Sequence, residues 1–261
     1  MRIVYFGNNR NGLNILRWLK EMREEVVGLV IHPDEKGRYV SDIVRTAELG
    51  KDRIWPAPSL KETRTIAGLR ELRPDVGISI NFGYRLQPAV IGLFPLGCLN
   101  LHTGYLPYNR GAHPNVWSLV EGTPAGVTLH YMDEGMDTGG IIAKERVEAA
   151  WTDTGASLYG KLEAASLSLF QKTWPRIRRG ERLPSTPQQR GEGTFHRARD
   201  LQTLDPIDLD KHYRARDLIN LLRARTFAPY SGAYFEEKGE KIYIRISLLR
   251  EEEMRRERGL H

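Results

Sequence analysis

The stretch RIVYFGNNRNGLNILRWLKEM, residues 2–22, decides the fold class. Arg2 to Phe6 is a short strand-like run ending in Gly7-Asn8-Asn9-Arg10-Asn11-Gly12, a cluster of turn-forming residues. Beyond it, Leu13, Leu16 and Leu19 recur at helical spacing as far as Met22. A strand, a turn and an amphipathic helix make the first βα unit of an open α/β sheet, in which the loop after the strand faces the ligand crevice. The turn lacks the G-x-G-x-x-G spacing of a dinucleotide site. Its backbone amides at the helix start still suit a phosphate or carboxylate, which makes Asn9 and Arg10 candidate substrate contacts.

The alternation of strand and helix continues. Glu25 to Ile31 predicts a second strand, Ser41 to Leu49 a short helix, and Ile54-Trp55 a brief edge strand stopped by Pro56-Ala57-Pro58. Ser59 followed by Glu62 has the capping-box pattern and predicts a helix to about Leu72, ended by Pro74. Val76 to Ile80 is apolar and uncharged, as in a strand covered on both faces. It runs into Asn81-Phe82-Gly83-Tyr84-Arg85-Leu86, where a glycine between aromatics allows close backbone approach to a flat ligand. A plain strand-to-helix turn accounts for the same residues.

Cys98 to Gly140 carries the polar residues that invite chemistry. The alternating run Gly97 to His102 places Asn100 and His102 on one face of a strand. A long loop punctuated by glycine and proline follows, Thr103 to Pro114, with Tyr105 and Arg110 as candidate contacts; long loops in α/β domains are usually functional. Next come a helix at Asn115 to Glu121, a strand at Gly126 to Met132, the acidic glycine-rich turn Asp133 to Gly140, and a strand at Ile141 to Val147. His102 suits a general base, Asn100 can donate to an oxygen gaining charge, worth about 3 kcal/mol in other enzymes, and Asp137 can accept from the imidazole. Neither Cys98 nor any serine stands in a nucleophile elbow, which favours direct transfer over a covalent intermediate. The histidines, His102, His113 and His130 among them, show no ligand-like spacing with carboxylates, so no metal is expected. A satisfied core histidine, a strand-end asparagine and a turn aspartate would explain the same triple, and spacing alone leaves both readings open.

Thr154 caps a long helix to about Arg179, with Leu158, Leu162, Ala165, Leu169 and Phe170 on its inward face. Gly180 to Gly193, rich in Pro, Gln, Arg and Gly, reads as a linker, dividing the chain into a catalytic domain at 1–180 and a smaller region at 181–261. That region holds a helix at Ala215 to Ala224 and a hairpin, Ala233 to Glu236 with Lys241 to Ile246, turning around Gly239. Arg223 and Arg225, at the end of that helix, and Phe227 and Tyr230 beyond it form an Arg-aromatic cluster, common in plain helix-to-hairpin junctions. The hairpin's open edge equally suits a second subunit.

Composition bounds the class. The 261 residues are 40% hydrophobic and 28% charged, ordinary for a globular chain large enough for one sizeable core. No apolar run approaches the length of a membrane span, and the N-terminus enters a strand directly, so a cytoplasmic chain is expected. One cysteine, Cys98, rules out an internal disulfide and fits a reducing compartment. Lys and Arg exceed Asp and Glu by 39 to 33, a modest excess of +6 that suits an anionic partner, although much of it sits in Pro175 to Arg182 and the mixed-charge tail Arg250 to Arg258.

In order along the chain, Asn100-Leu101-His102, Leu106-Pro107, Arg110-Gly111 with Pro114, Gly126-Val127-Thr128, Met132-Asp133 and Met136-Asp137-Thr138-Gly139 match a signature N-x-H, L-P-x-x-R-G, G-V-T and D-T-G. By these blocks the sequence resembles the folate-dependent formyltransferases over about residues 1 to 180. The resemblance implies an α/β, Rossmann-like fold with an open, mostly parallel twisted sheet and a small C-terminal helix-plus-hairpin appendage. It also implies 10-formyltetrahydrofolate as formyl donor and an amine as acceptor. Asn100 would polarise the formyl oxygen, His102 would help remove the amine proton, and Asp137 would orient His102 or a proton-relaying water. Phe82, Gly83, Tyr84, Arg85, Leu86 and Asp133 match the segments that wall the pterin pocket. Arg214 to Ile219 and Arg223 to Phe235 look like the region downstream of the catalytic domain in nucleotide-sugar N-formyltransferases, which act on amino deoxysugars linked to nucleotides such as dTDP, often as homodimers, and include enzymes of lipopolysaccharide O-antigen synthesis; by that resemblance Arg223, Arg225, Phe227 and Tyr230 would face a diphosphate and a base. Methionyl-tRNA formyltransferases resemble the catalytic part too, but normally carry a complete C-terminal barrel, whereas about 60 residues follow Asp200 here. A folate or nucleotide sensor that has lost catalysis is a third reading.

Overall fold

Strand β1 (Arg2–Gly7) explains the architecture, because it is apolar on both sides. Ile3 and Tyr5 enter one core and Val4 and Phe6 the other, all four fully buried. A strand buried on both faces belongs inside a sheet that is covered by helices on both faces. The computed structural model describes residues 1–33, 35, 37–189 and 191–257; Arg190 of the linker stretch and Arg258 of the charged tail lie outside the described residues.

The strands that follow are β2 (Glu25–Ile31), β3 (Ile54–Pro56), β4 (Val76–Ile80), β5 (Cys98–His102), the two-residue β6 (Arg110–Gly111), β7 (Gly126–Tyr131) and β8 (Ile141–Arg146). All but β6 form one seven-stranded sheet in the order β3-β2-β1-β4-β5-β7-β8. Pairing is parallel from β3 to β5 and antiparallel at β5–β7 and β7–β8. The chain leaves β1 toward β2 and β3, then returns to the other side of β1 as β4. The carboxyl ends of β1 and β4 therefore flank a topological switch point, where an open sheet leaves a crevice. Asn8 N donates to Ile80 O at 3.2 Å and Asn11 Nδ2 to Asn81 Oδ1 at 3.2 Å across its floor.

Helices α1 (Asn9–Glu21), α2 (Val40–Ala47), α5 (Pro114–Glu121) and α6 (Gly155–Ile177) feed the Ile3–Tyr5 core, while α3 (Thr63–Glu71) and the single turn α4 (Pro88–Ile91) cover the Val4–Phe6 side. Thr154 caps α6 reciprocally: its Oγ1 accepts from Ser157 N at 3.2 Å and Ser157 Oγ accepts from Thr154 N at 3.0 Å. The Ser59–Glu62 capping box does not form. Ser59 Oγ instead donates to Pro56 O at 2.8 Å inside a 3-10 turn, Ala57–Lys61, and α3 begins only at Thr63. Two prolines within three residues favour that tighter turn over an α-helical start.

The linker stretch does not leave the catalytic domain. Thr186 pairs with Ile141, and strand β9 (Phe195–His196) pairs with β6, so the segment straps down the loop before α5. The C-terminal region follows as helix α7 (Ala215–Arg225), the hairpin β10 (Tyr234–Glu237) and β11 (Glu240–Tyr243), and helix α8 (Glu251–Glu257). Lys238 and Gly239, at φ 51° and 81°, make the hairpin turn, a left-handed pair that tolerates glycine best. No helix among the described residues is long and apolar enough to cross a membrane.

Trp174 anchors the far end of α6. Its ring stacks on Phe170 at 5.3 Å, and its Nε1 donates to the buried Glu24 Oε1 at 2.8 Å, which Arg178 also approaches at 3.2 Å. Trp174→Ala should cost about 3–5 kcal/mol of unfolding free energy in urea; a loss under about 1 kcal/mol would remove it as the anchor.

Candidate active site

Antiparallel pairing at the end of the sheet assembles the site. Asn100 on β5 lies directly opposite His130 on β7, and His102 opposite Thr128. His130 Nδ1 sits 2.7 Å from Tyr131 O, a carbonyl that only accepts, so Nδ1 carries the proton and Nε2 is left as an acceptor. Asn100 Nδ2 lies 3.0 Å from that Nε2 and 3.2 Å from Asp137 Oδ1, while Ser79 Oγ donates to Asn100 Oδ1 at 3.0 Å. The network fixes the amide's orientation, since a flip would set its oxygen against the Asp137 carboxylate. Both Nδ2 hydrogens are engaged, so Asn100 is aimed by His130 and Asp137 together.

His102 Nε2 lies 2.8 Å from Asn109 O and must donate to it. In the neutral ring the lone pair is therefore on Nδ1, which faces Asp137 Oδ2 at 3.6 Å. The direct imidazole-to-Asp137 hydrogen bond expected from the sequence is absent, because 3.6 Å is too long. The Asn109 carbonyl sets the tautomer, and Asp137 supplies charge to the ring's other side. Gly104 makes this possible: a Cβ there would fall 2.5 Å from His102 Nε2.

Asp137 sits in the left-handed region, φ 54°, with its side chain 11% exposed. Gly111 N donates to its Oδ2 at 2.8 Å, and His130 Nε2 is 3.5 Å from Oδ1. Burial raises the carboxyl's pKa, but once the two rings are protonated the charge of His102, the hydrogen bond and charge of His130 and the Gly111 amide outweigh it and hold the group well below the usual carboxylate range. The preceding Asp133 serves its own turn, accepting from Gly135 N at 3.0 Å and Thr138 Oγ1 at 2.6 Å. Cys98 is buried and its thiol is pushed far up by desolvation, so it is inert as a nucleophile.

These groups open into one cleft of about 1020 Å³ at the switch point. Asn9, Arg10, Phe82 to Leu86, Asp133, Arg225, Phe227 and Tyr230 line it. Three candidates do not. Tyr105 turns away to lie under Lys144, whose Nζ is 4.2 Å from the ring centroid. Arg110 is committed to Gln188 Oε1 through its Nε at 3.0 Å and Nη2 at 2.9 Å. Arg223 is buried, donating to Asn220 Oδ1 and to the Ala150, Trp151 and Asp153 carbonyls. A guanidinium on a helix's inward face is drawn to free carbonyls, which spacing alone cannot reveal.

Several cleft residues escaped the sequence reading. His130 shares a strand face with Thr128 two residues away, the same polar alternation that singled out Asn100 and His102. Arg38 lies over the Tyr230 ring at 5.0 Å, Phe227 meets Tyr159 at 5.6 Å and Tyr230 at 5.0 Å, and Arg10 pairs with the buried Glu163. His113 also faces the cleft, its pKa lowered by burial and then by Arg225. Near Phe82, a second aromatic group comprises His32 and Tyr84, with ring centroids 5.2 Å and 4.9 Å from His32. Phe82 and Tyr84 with Leu86, Met132 and Met136 give the cleft an apolar wall, backed by His32, and the exposed Arg85 and Asp133 rim it. Such a set fits a pterin with a carboxylate tail.

A switch-point cleft holding an imidazole with a free lone pair, a buried carboxylate and an aimed amide defines an α/β protein built for acid–base group transfer. Residues 1–173 match the formyl transferase family and residues 200–250 the N-formyltransferase dimerization C-terminal domain; the chain belongs to the formyl transferase family. The methionyl-tRNA formyltransferase of Acetivibrio thermocellus is 30% identical over 259 residues, 97% of this chain and 81% of its own length. A 4-N formyltransferase from Francisella tularensis superposes with TM-score 0.80 at 26% identity, covering 95% of this chain and 98% of its own. PseJ from Anoxybacillus kamchatkensis, solved with UDP-4,6-dideoxy-4-formamido-L-AltNAc and tetrahydrofolate, is 30% identical with TM-score 0.56, covering 78% of this chain and 89% of its own.

The depressed Asp137 carboxyl has a pH signature. Its folded value lies below the unfolded value near 3.9, so its ionisation stabilises the fold above about pH 4, and that gain is lost as the pH falls further. The difference in unfolding free energy between the parent and Asp137→Asn should shrink below about pH 4 in urea titrations. A constant difference down to about pH 3 would show that the fold does not favour the carboxylate.

Proposed function

We propose that the protein transfers a formyl group from 10-formyltetrahydrofolate to the amine of a nucleotide-linked amino deoxysugar. The observation that carries this reading is the cleft's composition: the polar centre shares one cavity with a pterin-like wall and with Arg10, Arg38, Tyr159, Phe227 and Tyr230. Guanidinium groups among aromatic rings suit a diphosphate and a base. The match of residues 200–250 to the N-formyltransferase dimerization C-terminal domain supports the sugar over tRNA. The sugar bound to PseJ is of the same chemical class.

The roles follow from the geometry. Bound 10-formyltetrahydrofolate supplies an electrophilic formyl carbon. His102 Nδ1 takes the proton from the attacking amine, because Nε2 is held protonated by Asn109 O. The resulting imidazolium faces Asp137 Oδ2, whose negative charge favours the transfer, and it returns the proton to the donor's N10 as the formyl C–N10 bond breaks and tetrahydrofolate leaves. Asn100 Nδ2 gives up its longer contact, to Asp137, and donates to the formyl oxygen as that oxygen gains charge. Phe82 to Leu86 with Asp133 hold the folate, and Asn9, Arg10, Arg225, Phe227 and Tyr230 face the nucleotide sugar. The region beyond residue 181 selects the acceptor and joins two subunits, consistent with a dimerization domain match at residues 200–250.

A panel of dTDP- and UDP-linked amino sugars incubated with 10-formyltetrahydrofolate should show a mass gain of one formyl group on at least one member. Formylation of methionyl-tRNA with none of the sugars touched would overturn the sugar reading, and tight folate binding without turnover on any amine would leave a sensor. His102→Asn should lower kcat about 10²–10⁴-fold while folinic acid affinity stays within a few-fold; undiminished kcat would remove His102 as the base. Sedimentation equilibrium should give a dimer, and a monomer at micromolar concentration would dissociate the C-terminal region from assembly.

A further inference from the structure

The segment between the catalytic sheet and the C-terminal region touches the site at a point that neither the motif blocks nor the proposed roles use. Gln188 has all of its amide capacity filled. Its Oε1 accepts from Arg110 Nε at 3.0 Å and Nη2 at 2.9 Å, and its Nε2 donates to Asp137 O at 2.8 Å and Gly139 O at 2.8 Å. The orientation is unambiguous, because a flipped amide would set hydrogens against a guanidinium and oxygen against two carbonyls. The contact lands on the residue that most needs it: Asp137 is a non-glycine at φ 54°, a conformation that persists only where its surroundings hold it.

Gln188 is itself held from both sides. Thr186 exchanges two backbone hydrogen bonds with Ile141, each 2.8 Å, and past it Arg110 N donates to Thr194 O at 3.0 Å. The same strap reaches the other partner of the site, since Asn109 N donates to Thr194 Oγ1 at 2.9 Å and Asn109 O is the acceptor that sets His102's tautomer. Gly111, joined to Arg110, places its amide on Asp137 Oδ2 at 2.8 Å. The loop and the turn thus meet twice, through the Gly111 amide and through the Arg110–Gln188–Asp137 bridge.

We infer that Gln188 is a positioning residue: it locks the left-handed Asp137 turn to the Arg110 loop and so keeps the carboxylate opposite His102 Nδ1. The inference rests on the proposed role of Asp137 in formyl transfer. A carboxylate released by about 1 Å loses its catalytic alignment, which costs up to about 10²-fold in rate.

Two substitutions separate alignment from packing. Gln188→Glu keeps the shape and the Arg110 contact but puts an acceptor against two carbonyls, whereas Gln188→Ala removes both arms. Kinetics with 10-formyltetrahydrofolate and dTDP-4-amino-4,6-dideoxyglucose should show kcat reduced about 10- to 100-fold in both variants, with KM for the donor within about twofold. In the Asp137→Asn background, Gln188→Ala should cause no further loss, because residues acting as a unit are non-additive. Amide exchange of Gly111, followed by NMR without ligands, should accelerate at least about tenfold in both variants, since that N–H reports the Asp137 carboxylate. A Gln188→Glu variant with parental kcat, or unchanged Gly111 exchange, would overturn the inference. Because the exchange measurement needs neither folate nor acceptor, it decides the clamp even where the sugar reading fails, and an active Asp137→Asn protein would expose a failure of the role given to Asp137.

Discussion

The site depends on keeping one negative charge nearly out of water beside an imidazole. Asp137 achieves this by accepting the Gly111 amide and an Asn100 N–H while two histidines stand within 3.6 Å. A carboxylate removed from solvent is costly unless its lone pairs are filled and opposite charge is near. Each of those requirements constrains something else. Gly111 needs φ 89° to present its amide, Asn100 needs His130 and Ser79 to aim it, and the turn needs Gly139, where a Cβ would fall 1.9 Å from Tyr131 O. Apart from the His102 Nδ1 lone pair the polar cluster is thus satisfied, which is what makes a buried network rigid rather than destabilising.

His102 completes this arrangement from the opposite direction. A histidine that handles protons must have a defined tautomer, and here a backbone carbonyl fixes it. That assignment frees the carboxylate from being the ring's hydrogen-bond partner. Asp137 lies at 3.6 Å, close enough to stabilise a positive ring by charge. The division of labour differs from a triad in which one carboxylate both orients and stabilises.

Much of this was legible in the sequence, and the reason is local periodicity. The strand–turn–helix at the N-terminus, the doubly apolar Val76–Ile80 and the Asn100/His102 alternation are short-range patterns, and β1, α1, β4 and β5 follow them. Thr154 capped its helix because the partner of a cap lies three residues away. Ser59 failed as a cap because neighbouring prolines imposed a different turn. What stayed hidden depends on contacts between distant segments: His130 comes opposite Asn100 only through antiparallel pairing, and Gln188 comes to Asp137 only when the strap folds back across 51 residues. Gly180 to Gly193 reads as a linker because its interactions are long-range and leave no period.

The same distinction explains why two arginines on one helix have unlike fates. Arg223 and Arg225 are both buried on α7, yet only Arg225 reaches the cleft. Arg223 turns to the carbonyls of Ala150, Trp151 and Asp153, the residues just before α6 begins, and burial lowers its pKa despite the charge of Asp153. Arg225 is neutralised by Asp205, which comes from the segment that leads into α7. Between them the backbones touch: a Cβ at Gly155 would fall 2.2 Å from Ala224 O, and Ala156 N donates to Thr226 O at 3.3 Å. Arg223 therefore fastens the C-terminal region to the start of α6, and that fastening carries Arg225 and Phe227 to the cleft. A buried guanidinium satisfied by carbonyls costs desolvation, and removing it would strand those carbonyls. The cost is tolerable because one helix then determines both how the appendage docks and which side chains line the cleft.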